Sequence, residues 1–100
     1  MLNIGKLYQV KKMYWLLYPS KAFAVASPDR PSRRHAECYS QAWSKQYNCK
    51  ITFVSPNDIF CLLEQDGEYI KVLSTNGEIG WINHPTNEPW TKGCIEEVKQ

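Results

Sequence analysis

The chain has 100 residues. A chain this size buries roughly two-thirds of its unfolded surface around one core, which leaves no room for a separate catalytic domain. With 43% hydrophobic residues it is not disordered, and four Trp, six Tyr and three Phe supply a small core with large rings. The net charge is +2, but residues 1–50 hold nine Lys/Arg against two Asp/Glu and residues 51–100 hold three against eight. Such a split marks either a basic face for an acidic partner or two halves that attract each other within one fold; interleaving of the halves favours the second.

The longest apolar stretch, Met13 to Tyr18, is far too short to span a membrane, so no membrane partner is expected. Lys6, Lys11 and Lys12 are followed by no apolar leader segment. A cytoplasmic location and free thiols at Cys38, Cys49, Cys61 and Cys94 are the expectation.

In chain order, residues 3–18 read as extended. Ile4, Tyr8 and Val10 are strand formers, and Met13 to Tyr18 is a second apolar burst stopped by Pro19. Residues 19–31 hold Pro19, Pro28 and Pro31 and read as a loop, within which Ala22 to Ala26 can form a short strand. Residues 32–48 are the one helix candidate. Ser32 can cap it, Tyr39, Trp43 and Tyr47 recur every four positions on one face, and Asn48 suits its C-terminal end.

From residue 50 onward short strands alternate with turns. Lys50 to Val54 is followed by the turn Ser55-Pro56-Asn57-Asp58, and Ile59 to Glu64 by the turn Gln65-Asp66-Gly67. Tyr69 to Leu73 leads into Asn76-Gly77, a strong hairpin signal, and then Glu78 to Ile82. Residues 83–93 form a loop before the closing strand Cys94 to Val98.

The series Leu63-Glu64, Asp66-Gly67, Tyr69-Ile70-Lys71-Val72, Asn76-Gly77 and Gly80-Trp81-Ile82 is similar to Src-homology-3-like domains, the bacterial kind above all, over residues 50–98. The resemblance implies a mostly-β, single-domain fold, a small barrel of five or six strands. Those strands come from 3–18 and 50–98, with residues 19–49 a helical and loop insertion carrying one α-helix at about 32–48. It implies a fold rather than a ligand.

Among chemistry-bearing residues, His35 and Cys38 lie three apart on the helix candidate, with Cys49 just past its end. Cys61, His84 and Cys94 are scattered, so the two close ligand pairs of a structural zinc site are missing. No metal or cofactor is expected, and a zinc or thiol site at His35, Cys38 and Cys49 is the weakest alternative. A Cys–His nucleophile finds no oxyanion element or Gly-rich elbow, and the carboxylates form no acid–base pair, so an enzyme is not expected. Tyr69, Trp81, Pro85 and Trp90 are the anchor type used in protein recognition. The leading expectation is therefore a non-enzymatic module that binds a protein or peptide through them. The alternative is nucleic-acid binding by Arg30, Arg33, Arg34 and Lys45 beside the rings of the helix, against which the modest net charge counts.

Overall fold

The computed structural model describes residues 2–26, 33–84 and 93–99, with residues 33–36 described as backbone only. Among these residues, seven strands and two helices follow in the order β1 Leu7–Val10, β2 Trp15–Leu17, α1 Lys21–Ala26, α2 Arg33–Gln46, β3 Thr52–Val54, β4 Ile59–Asp66, β5 Tyr69–Ser74, β6 Ile79–Asn83 and β7 Ile95–Glu97. Five strands form one antiparallel sheet in the order β6-β5-β4-β1-β7, and β2 pairs with β3 in a second, two-stranded sheet. The five-stranded sheet is not closed into a barrel: β6 and β7 stand at its two ends.

Alternation explains the ladder. Phe60 and Leu62 of β4, Ile70 and Val72 of β5 and Ile82 of β6 are buried, while their neighbours are half-buried or exposed. With Tyr8, Val10, Trp15, Leu17, Val54 and Cys94 they form the main core, each large aliphatic side chain contributing about 1.5–3 kcal/mol by leaving water. The doubled Leu62-Leu63 coincides with a β-bulge, where the register with β5 shifts between Leu62 and Glu64. Such an extra residue bends the strand.

The turns follow their residues. Gly67, at φ +60, and Glu68 are the two loop residues between the paired Asp66 and Tyr69, one position later than the predicted turn. Thr75-Asn76-Gly77 is a three-residue loop in which Gly77 takes φ +81 and the Ser74 N–H donates to the Glu78 carbonyl at 2.8 Å. At the predicted Ser55–Asp58 turn, the Ser55 N–H donates to Asp58 Oδ2 at 2.8 Å and the Asp58 N–H to the Ser55 carbonyl at 3.0 Å.

The extended region 3–18 divides into β1 and β2 around Met13, which takes φ +70. The apolar burst becomes a strand covered on both faces: Trp15 and Leu17 enter the main core, Leu16 and Tyr18 a second one. Tyr18 and Trp81 form an isolated antiparallel bridge, each N–H donating to the other's carbonyl at 2.9 and 2.8 Å. This bridge hangs the β2–β3 pair on the β6 edge. The approach is close at Gly80, where a Cβ would stand 2.8 Å from Leu17 Cβ and 3.1 Å from the Tyr18 carbonyl.

One expectation is corrected, and one differs in its detail. Ala22 to Ala26 is not a strand but lies in helix α1, so the insertion carries two helices. The short apolar run gives way to the helix preference of alanine and to a cap at Ser20, whose Oγ accepts the Phe23 N–H at 3.1 Å. The mostly-β expectation stands, with seven strands among the described residues where five or six were expected, because β2, from the first extended region, and β3, just after the insertion, pair with each other in a second sheet. At the end of α2, Asn48 takes φ +51 and the Cys49 N–H donates to the Ser44 carbonyl at 3.2 Å, the left-handed closure expected of that residue.

Candidate recognition surface

The outer face of β5 and β6 carries Tyr69 and Trp81. Trp81 lies opposite Lys71, so Tyr69 and Trp81 are diagonal neighbours on the same side of the sheet, away from buried Ile70 and Ile82. Both are half-buried against the second core of Leu16, Tyr18, Ala24 and Ile51, which Tyr14, Phe23, Trp43, Cys49 and Phe53 flank.

Both helices are drawn in by rings. Phe23 of α1 stacks on Tyr18 with centroids 5.5 Å apart and interplanar angle 20°. Trp43 of α2 lies 6.2 Å from Tyr18 and 6.3 Å from Phe23. Ser44 anchors the end of α2: its hydroxyl accepts the Ile51 N–H at 2.8 Å and donates to the Ile51 carbonyl at 3.2 Å. The Tyr39–Trp43–Tyr47 stripe is thus half-buried against the second core at its centre and exposed at its ends. Tyr39 is 43% exposed and stacks on Trp43 at 5.1 Å and 6°, and Tyr47 is 54% exposed and meets Phe23 edge-on at 5.1 Å. Each exposed ring is held by another ring behind it, which reduces the rotamer freedom lost when a partner covers it.

Of the four predicted partner-binding residues, Tyr69 and Trp81 come together, while Pro85 and Trp90 lie outside the described residues. Arg30 lies outside them too. Arg33 and Arg34 stand in the first turn of α2 and Lys45, exposed, in its last. Twelve residues of helix, about 18 Å, separate Arg33 from Lys45, so these cations bracket α2 rather than form one patch. For the thiol alternative, Cys38 is exposed on α2 and Cys49 half-buried beyond its end. Among the described residues no three His, Cys, Asp or Glu side chains converge on a metal site, and no helix is long and apolar enough to cross a membrane.

Sequence reasoning missed Phe23, Tyr14 and Phe53 in this assembly. Tyr14 and Phe53, 6.2 Å apart, flank the paired Trp15 and Val54 of β2 and β3, a long-range pairing that no local spacing announces. It also missed the surroundings of His84. That side chain is 6% exposed, its ring centroid lies 5.2 Å from that of Trp15, and its ring nitrogens have no hydrogen-bond partner among the described residues. Burial lowers its pKa from 6.5 to about 4, so the ring is neutral near pH 7. Burial likewise raises the pKa of the Cys94 thiol, against a smaller opposing effect of Lys12. No protein-family model matches the chain, and neither the curated proteins nor the solved structures searched contain a match to it.

Proposed function

We propose that the chain is a non-enzymatic binding module, Src-homology-3-like in architecture, that recognises a protein or peptide through the aromatic surface spanning Tyr69, Trp81 and the rings of α2. The carrying observation is the pair of exposed tyrosines, Tyr39 and Tyr47, each braced by a partly buried ring beside the Tyr69–Trp81 face. Rigid Tyr and Trp anchors surrounded by near-neutral surface are where binding energy concentrates in protein interfaces. The architectural reading is supported by strand order: β1 lies between β4 and the last strand, a long excursion separates β1 from β4, and tight turns join β4, β5 and β6. The motif residues of the resemblance fall on those last three strands and the turns that join them.

The test is selection of a random peptide library on the immobilised protein, repeated with Tyr39→Ala/Tyr47→Ala. Wild type is expected to enrich binders whose affinity falls at least about tenfold in the variant, while its stability drops by less than about 1 kcal/mol. Failure to enrich any peptide defeats the reading. The nucleic-acid alternative draws on Lys45 sharing α2 with these exposed rings. It predicts amide shifts along α2 with short single-stranded DNA or RNA that fade as salt rises.

A further inference from the structure

Helix α1 lies across the face on which Tyr69 and Trp81 stand. It packs on β5 and β6, the strands that carry those rings. Lys21 at its start pairs with Asp66 at the end of β4, and the same ammonium lies 5.9 Å from the centroid of the Tyr69 ring. Phe23 and Ala24 enter the second core, while Ala22, Val25 and Ala26 are exposed.

The anchorage of α1 is thin. Six residues are too few for a helix to hold by its own propensity. Among the described residues it gives the second core one small buried residue, Ala24, and one half-buried ring, Phe23, which stacks on Tyr18 and meets Trp43 and Tyr47. Its tie to the sheet is an ion pair whose side chains are 40% and 59% exposed, and such pairs are weak. Strands β4 and β5, by contrast, are paired on both sides and contribute Phe60, Leu62, Ile70 and Val72 to the main core. Elements with few buried contacts open at free energies well below that of global unfolding.

We infer that α1 is a displaceable cover over the Tyr69–Trp81 face, latched by Lys21, which lifts within the native state while the five-stranded sheet stays folded. A ligand that needs the part of the surface beneath α1 then binds the opened fraction only, and its apparent affinity for that part scales with that fraction, whereas Tyr47, which Phe23 of α1 backs, keeps its brace in the closed state. This use of the opening rests on the recognition reading above. The opening itself is measured without any ligand, so either can fail alone.

Amide hydrogen exchange of the full chain, followed residue by residue by NMR, decides it. The Ala24 N–H donates to the Ser20 carbonyl at 3.1 Å inside α1 and reports the cover; the hydrogen-bonded amides of β4 and β5 report the sheet. Ala24 is expected to exchange at least about a hundredfold faster than those sheet amides, allowing for sequence-dependent intrinsic rates. Lys21→Ala is expected to speed Ala24 further by about threefold to tenfold without moving the sheet. Asp66→Asn, which keeps the cation over the ring, is expected to give a smaller increase in the same direction. Exchange of Ala24 in step with the sheet overturns the cover, and an unchanged Ala24 rate in Lys21→Ala overturns the latch.

Discussion

His84 shows what one buried polar side chain does to a small domain. Its ring packs against Trp15 at 5.2 Å, and its pKa stands at about 4 rather than 6.5 because burial disfavours the imidazolium. The sign of the pH dependence follows. Above pH 6.5 the ring is neutral in the folded and unfolded chain alike, and it has no pH-linked effect. As pH falls from 6.5 towards 4 the unfolded chain takes up the proton first, so stability falls through that window by up to about 3 kcal/mol. Urea midpoints at pH 7 and pH 4.5 should therefore differ less for His84→Leu than for wild type. Equal acid sensitivity in the two proteins would remove His84 as the cause.

Among the elements, the β2–β3 pair depends on one glycine. Gly80 lets β2 approach β6 closely enough for the mutual Tyr18–Trp81 hydrogen bonds, and an added methyl would meet Leu17 Cβ at 2.8 Å. Gly80→Ala is expected to cost about 2–3 kcal/mol in urea denaturation, with the Tyr18 and Trp81 amides losing protection first. Helix α2 depends in the same way on Trp43, whose ring contacts reach Tyr18, Phe23 and Tyr39. Trp43→Ala should destabilise the protein by about 2 kcal/mol, below the loss for a fully buried ring because Trp43 is only half-buried. A change under about 0.5 kcal/mol would mean that α2 is held by other contacts.

At the scale of the whole molecule, the two halves of opposite charge are joined to each other. Lys11 pairs with Glu96, Lys21 with Asp66 and Lys50 with Glu78, each a cation of the first half on a carboxylate of the second. These pairs are largely exposed and individually weak, but they show the charge split acting inside the fold. The main core reaches the β7 end through Cys94, which is fully buried, whereas Cys38 is exposed on α2. Iodoacetamide should alkylate Cys38 at once and Cys94 only at the rate of global unfolding, its thiol also being held protonated by burial. Equal labelling of both in native buffer would show that β7 does not close the core.

What the sequence by itself determined is what neighbouring residues decide between themselves. The β4–β5–β6 ladder was legible because Phe60, Leu62, Ile70, Val72 and Ile82 alternate with exposed or half-buried positions, and because Gly67 and Asn76-Gly77 supply turn residues with positive φ at the glycine. The body of α2 and its end at Asn48 were legible for the same local reason. Tyr69 and Trp81 were grouped by residue type alone, and the β5–β6 register that makes them diagonal neighbours comes from the structure. Only the tertiary structure decided the rest. Ala22 to Ala26, expected as a short strand, became part of α1 because Ser20 caps the helix and the Tyr18 and Trp43 rings receive Phe23. It likewise decided that β2 hangs on β6 at Gly80, that His84 is enclosed beside Trp15, and that Trp43 is sheltered while Tyr39 and Tyr47 face water. Apart from the local Ser20 cap and Tyr18–Phe23 stack, these arrangements join residues distant in the chain, and the free energy that selects them comes from burial shared between segments, which no local window of sequence contains.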